Sequence, residues 1–396
     1  MKPVYSNKAL AGYPIRLPII LWFGTTLIAV VLEISRGTHE INNFLIYKGV
    51  YEHTIQQINL YATYPLEYAD GNHYGPLFSL LIAPFTWFPI SVGCVLWCMA
   101  NAWVLFYALQ QLNLSQKQFY VILLISVVEL MTATHSVQFN PMLAGSMILS
   151  YTLVRKNKIL PATLLIAAGM LIKIYSIIGL VLFLFTDKKK QFAFSFLGWV
   201  VLLFMLPMLI SSKDFIIQSY QDWFHSLVEK NGSNIDISVA PGMQDISVGG
   251  MIRRIFYLQD LSNFYILIPA AICIAYPLTR YRYFFQQDFT LTYFCMLMVS
   301  VVIFSSSAES PTYIIPISAI AIWLSLKLPL KKEYILLLSF TFLFTILSPT
   351  DLMPKIIRDK FFVQYAMKAL PCFIIWIMMI KELSIKKYLH DRRSIV

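Results

Sequence analysis

What most limits the folds open to this chain is a series of apolar runs, each 15 to 21 residues long, recurring from near the N-terminus to near the C-terminus. A bilayer core of about 30 Å takes about 20 helical residues to cross, and lipid offers no partner to an unpaired backbone group. Runs of this length therefore predict membrane-spanning helices. Windows such as LPIILWFGTTLIAVVLEI, FAFSFLGWVVLLFMLPMLI and FYILIPAAICIAYPLT lack the period-2 alternation and polar lumen face of an outer-membrane barrel. Composition agrees: 58% of the residues are hydrophobic and 13% charged, where a soluble domain carries roughly 25% charged residues. The expectation is an all-α polytopic membrane protein, with residues 1–396 forming one integral domain.

Twelve spans are expected, near 17–34, 91–111, 118–134, 141–154, 159–172, 174–186, 192–210, 263–279, 288–305, 311–326, 334–348 and 365–380. The first run follows a short basic stretch (Lys2, Lys8, Arg16) and lacks a small-x-small cleavage site, so it reads as an uncleaved first span. Charge tests the placement. The side holding the N-terminus collects 20 of the 31 basic residues, among them Arg155, Lys156, Lys158, Lys188, Lys189 and Lys190, and only five acids. By the positive-inside rule that side is cytoplasmic, which puts both termini in the cytoplasm of a cell whose inner (plasma) membrane holds the chain. The net charge of +11 is thus a topology signal, and nucleic acid is not an expected partner. The five cysteines (Cys94, Cys98, Cys273, Cys295, Cys372) fall inside spans with no CxxC and no histidine at metal-ligand spacing, so their expected role is packing.

Two long loops then lie on the opposite, outer side: residues 35–90, with interfacial helices, and residues 211–262. The stretch PLFSLLIAPFTWFP in the first carries Pro76, Pro84 and Pro89 and reads as an interfacial helix rather than a span. Five of the six histidines and most acids lie on this side, so chemistry is expected there. The first loop is dense in polar groups (Glu40, Asn42, Asn43, His53, Glu67, Asp70, Asn72, His73, Tyr74); solvation accounts for each singly, less well for their bunching against the membrane. Ionisable residues inside spans mark a function or a pairing. Lys173 separates two short apolar stretches whose far ends carry RKNK and DKKK, which places it at the outer tip of a helical hairpin, within reach of a lipid phosphate. Glu129 is expected to pair with it or to face a cavity. In the second loop GMQDISVGGMIRRIF sets Gln244, Asp245 and Ser247 before the guanidinium pair Arg253 and Arg254, and SSSAESPTY sets Glu309 and Tyr313 at an outer helix end.

These separated stretches, in their order, resemble glycosyltransferase family 87, which is similar in fold to other GT-C polyprenyl-phosphate-sugar enzymes. NNFLIYKGVYEHTIQQINLY and NHYGPLFSLLIAPFTWFP occupy the family's first-loop elements. SVQFNP resembles its glutamine-x-asparagine element, ATLLIAAGMLIKIYSIIGL its lysine-bearing hairpin, and MQDISVGGMIRR its late loop. The resemblance covers roughly residues 17–325. It implies a GT-C-like fold and transfer of a hexose, mannose by default, from a polyprenyl-phosphate sugar to a glycolipid or glycan acceptor, inverting, with neither metal nor other cofactor. Lys173, Tyr175 and Arg253 would hold the donor phosphate, while Tyr47, Gln138, Asn140, Gln244 and Ser247 would bind sugar or acceptor. Asn43 stands where the family's catalytic aspartate is expected, and an amide is no base. Glu40, one helical turn earlier, is then the expected base, with Glu309 in reserve.

Two other readings share these features. A transporter or flippase of a lipid-linked saccharide suits the many spans and the embedded charge, but such proteins often show repeated halves, and this sequence shows none. A glycan polymerase or ligase of the same fold differs only in its acceptor.

Overall fold

Residues 17–235, 244–350 and 352–388 are described by a computed structural model, and among them every regular element is helical, with no strand. The apolar runs become α1 (Leu17–Arg36), α4 (Ile90–Gln111), α5 (Gln116–His135), α6 (Asn140–Arg155), α7 (Ile159–Ile172), α8 (Lys189–Met205), α11 (Phe264–Ala275), α12 (Gln287–Ile303), α13 (Ile314–Ser325), α14 (Lys332–Thr341) and α16 (Ala369–Ile385). Between the expected outer-loop boundaries lie α2 (Asn42–Gln56) and α3 (Phe78–Thr86), then α9 (Lys213–Ile235) and α10 (Val248–Phe256). The one-turn α15 (Lys355–Ile357) precedes α16. With nine residues, α3 spans only about 14 Å and is too short to cross a bilayer.

Among the described residues, five helical stretches are long and apolar enough to cross a membrane: 17–36, 90–111, 116–135, 189–209 and 264–283. The segment expected at 174–186 winds as a 3-10 helix, Ile174–Phe185, whose 2.0 Å rise stretches twelve residues over about 24 Å. The last expected span shifts toward the C-terminus: α16 begins at Ala369 and runs past Lys381 and Glu382. Glu382 tolerates that place because Lys327, Lys386 and the Trp323 indole all donate to its carboxylate.

The core is centred on α13, buried at every residue, as befits a helix that is apolar all round. It packs on α12 and α5, while α1 packs on α4 and α5, α6 on α4 and α7, and α16 on α12. By contrast α8 and α11 show most of their apolar surface outward, the pattern of helices whose solvent is lipid. Cys94, Cys98, Cys295 and Cys372 are free and buried, and Cys273 lies exposed on α11.

The two ends of the bundle differ. At one, the basic connections hold one another: Lys156 donates to Gln111, Lys188 to the Asn157 carbonyl, Arg155 to the Phe285 carbonyl, and Arg280 to the Leu383 and Lys386 carbonyls. These bonds gather the connections at 111–117, 155–159, 186–189, 280–287 and 383–388 onto one end, as the charge pattern predicts. The other end carries the two long segments and a cavity. Glu129 does not meet Lys173. Its carboxylate is bound by Lys368, 2.8 Å away, on the turn entering α16. The residues are 239 apart in sequence, and the fold brings α5 and that turn together.

Candidate active site

The site begins with the hairpin. A Cβ on Gly169 would fall 2.2 Å from Ser176 Oγ, and one on Gly179 would fall 2.7 Å from Ile166, so residue 169 faces 176 and 166 faces 179. The two segments are antiparallel and Lys173, in an extended conformation (φ −147°, ψ 114°), is their tip. The first long segment sits directly on it: Gly75 N donates to Ile172 O at 3.0 Å, and a Cβ at position 75 would lie 2.0 Å from Leu171 O. Only glycine allows that approach.

Above the tip opens a cavity of about 550 Å³. Lys173 Nζ donates to Asn140 Oδ1 at 2.8 Å and lies 5.6 Å and 5.3 Å from the ring centroids of Tyr74 and Tyr175. Asn140, buried behind it, donates in turn to the Pro311 carbonyl at 3.2 Å. A chain of hydroxyls runs along the floor: Tyr47 meets Tyr74 at 3.1 Å, and Tyr74 donates to Gln138 Oε1 at 3.1 Å. Tyr175 meets Ser305 at 3.0 Å, and Asn43 donates to the Ser136 carbonyl at 2.7 Å. Below the floor, Phe78, Trp97 and Phe139 pack edge-to-face or stacked on these rings and fix them.

Of the residues read from the sequence, Asn43, Tyr47, Gln138, Lys173, Tyr175 and Glu309 line this cavity, and Asn140 backs it. Four do not reach it. Glu40 lies exposed in the turn before α2 rather than one helical turn below Asn43, because the helix starts only at Asn42. Arg253 is wholly buried, with its guanidinium donating to Asp245 (2.6 Å), the Leu261 carbonyl (3.0 Å) and Asn263 Oδ1 (3.1 Å). Ser247 caps α10, accepting from Gly250 N and donating to Asp245. The Gln244 carbonyl accepts from Arg254. That motif builds a strut beside the cavity.

Other lining residues carried no assigned role in the sequence: Asp70 and His73, from the polar cluster of the first loop, and residues of α9. Asp70, whose loop is pinned to α2 by the Ala69 N bond to Asn42 Oδ1 at 2.8 Å, contributes a second carboxylate. His73 turns its ring toward α9, with Nδ1 3.4 Å from Ser226 Oγ, and its buried Nε2 has no partner among the described residues. Along α9, Trp223, Leu227, Lys230 and Asn231 repeat at helical spacing and form one wall. That spacing was visible in the sequence, but nothing there told which way the helix faces.

The charges respond to enclosure. Burial pushes the Glu309 carboxyl above the ordinary glutamate range, opposed by Lys230 and Lys173 and reinforced by Asp70. Burial, with Lys230 adding to it, holds the His73 imidazole down at about 4, so it is neutral at physiological pH. The cavity thus sets two lysines against two carboxyl groups among neutral amides and phenols, equipment for holding an anion beside hydroxyl groups.

A helical membrane protein with a polar, charge-bearing cavity sunk into one end of its bundle has the form of a membrane-embedded enzyme. Residues 72–306 match the profile of glycosyltransferase family 87. The match covers more than half of the chain, and the chain belongs to that family: it is a membrane glycosyltransferase. No curated protein matches the sequence. Asn43 and Tyr47 precede the matched range and Glu309 follows it.

Proposed function

We propose that this protein transfers a hexose, mannose by default, from a polyprenyl-phosphate sugar to a hydroxyl of a glycolipid or glycan on the non-cytoplasmic face of the inner membrane. The observation that carries the reading is the meeting of Lys173, at the hairpin tip, with Lys230, Asp70 and Glu309 around one cavity. The end opposite the cavity carries the basic connections, so the positive-inside rule turns the cavity away from the cytoplasm. A GT-C-like arrangement of twelve crossings is part of the same proposal.

In the proposed step the acceptor hydroxyl attacks the anomeric carbon from the side opposite the carrier phosphate. The bond from that carbon to the phosphate oxygen breaks, the phosphate leaves with the electron pair, and the configuration inverts. Glu309 takes the hydroxyl proton. An ionised carboxyl held above its ordinary range is a better base than a surface glutamate, because its proton affinity lies nearer the working pH. Lys173 and Lys230 stabilise the charge growing on the departing phosphate, with no metal called on. Lys230 lines the cavity and takes the place beside Lys173 at the phosphate that the resemblance gives to Arg253. Tyr47, Tyr74 and Gln138 present hydroxyl and amide groups to the sugar, and Asn43 supplies a neutral contact at the place where the resemblance leads one to expect an aspartate. Phe224, Leu227, Val228 and Leu267, from α9 and the outward-facing α11, form an apolar wall that suits the carrier's hydrocarbon chain.

The test is transfer by purified protein in lipid bilayers from radiolabelled polyprenyl-phosphate mannose to envelope glycolipids. Glu309→Gln is expected to lower kcat by at least about 10²-fold, the lower range for losing a positioned acid or base, and Asp70→Asn much less. The reverse pattern would move the base to Asp70 and leave the class intact. Wild-type protein that transfers no sugar yet moves labelled lipid between leaflets would establish a transporter instead.

A further inference from the structure

The ion pair of Glu129 and Lys368 lies outside the cavity, buried on both sides, with side-chain exposures of 0% and 4%. Burying two charges is costly even when they pair, and a pair of this kind is weak evidence for stability. Its placement supplies another reason for it. Lys368 Nζ also donates to Ser310 Oγ at 3.0 Å and lies 4.9 Å from the centroid of the Tyr313 ring. Ser310 is the residue after Glu309. Glu309 N donates weakly to Thr312 Oγ1 (3.4 Å), so carboxylate and serine belong to one short turn leading into α13.

That turn is held from four directions. Asn140 binds the Pro311 carbonyl and Lys173 together. Ile246 N donates to the Ala308 carbonyl at 2.8 Å, and Tyr313 OH donates to the Ile246 carbonyl at 2.7 Å. Asn231 and Asn234 of α9 bond to Ser306 and Ser307. Lys368 supplies the fourth hold, the only one of these from the C-terminal helices.

We infer that Lys368, paired with Glu129, is a positioning residue: through Ser310 it fixes where the Glu309 carboxylate stands in the cavity. The inference rests on the transferase reading for its effect on rate, but the hold itself does not. A lysine spends one donor on the turn while its charge is balanced elsewhere, so the turn gains a fixed anchor without added charge at the reaction site. A displacement of 1 Å in a reacting group costs on the order of 10²-fold in rate.

Three variants in bilayers test this. Ser310→Ala removes only the hold, Ser310→Thr keeps the hydroxyl, and Glu129→Gln/Lys368→Met removes the pair without leaving a bare charge. Amide exchange over residues 305–313 and donor KM and kcat are read for each. The expected result is faster exchange and a kcat lowered roughly 10- to 100-fold in Ser310→Ala and in the double variant. Their KM and melting temperature should stay near wild type, with Ser310→Thr behaving as wild type. Unchanged exchange and kcat in both, or a raised KM and a lowered melting temperature accompanying the fall in kcat, would overturn the inference and leave the pair a structural one. If wild-type protein transfers no sugar at all, the transferase reading fails, and exchange alone decides whether Lys368 holds the turn.

Discussion

Lys173 and Arg253 are both cations at the cavity end, and the sequence pairs them as phosphate contacts, yet their surroundings divide them. Among the described residues Lys173 has one acceptor, a neutral asparagine oxygen, and it opens onto the cavity between two phenol rings. Arg253 is 0% exposed and meets an anion, a carbonyl and an amide. A cation keeps its charge for a ligand when its own partners are neutral. One whose anion is already in place belongs to the architecture. The motif carrying Arg253 has the composition of a phosphate site and the wiring of a brace.

The largest expected effect bears on the brace. Arg253→Met leaves Asp245, 1% exposed, without its cation, and should lower unfolding stability by about 3–5 kcal/mol, the cost of breaking a buried pair. Melting in detergent measures it, and a variant that melts normally but cannot transfer would return Arg253 to the site. Next, Lys173→Met should reduce transfer by about 10²–10³-fold, as for loss of one donor to a developing anion, with little change in melting. A matching collapse of stability would erase the distinction. The smallest effect is a shift in pH dependence. A carboxylate base is active only when ionised, so transfer should fall on the acid side through the Glu309 pKa, above the ordinary value of about 4.3. Lys230 opposes the rise in that pKa, so Lys230→Met should move this limb to higher pH, whereas Arg253→Lys should not move it.

How far the sequence could be read follows from the range over which each feature is specified. Helices stand where the apolar runs predict them, because run length and lack of alternation are local properties. The tip position of Lys173 was equally legible: basic clusters at both far ends of two short runs leave one place for the residue between them. The family match confirmed the class of protein that those motifs suggested. What could not be read was partnership. Glu129 finds Lys368 across 239 positions, and Lys230 faces Asp70 and Glu309 through the direction in which α9 lies. Glu40 lies outside the cavity for a shorter-range reason, since the first turn of α2 begins two residues too late to carry it beside Asn43.

The seat of Gly75 on the hairpin tip has a consequence for how the enzyme works. With no side chain between them, the loop bearing His73 and Tyr74 and the hairpin bearing Lys173 and Tyr175 form one block before any substrate arrives. The dipoles that meet charge developing in the transition state are then oriented during folding, and little reorganisation of this wall remains for the reaction itself. The wall formed by α9 is tied to the same block, since the Trp223 indole donates to the His73 carbonyl at 3.0 Å and Asn231 accepts from Ser306, which leaves α11, with most of its apolar surface outward, as the cavity wall with the fewest polar ties among the described residues.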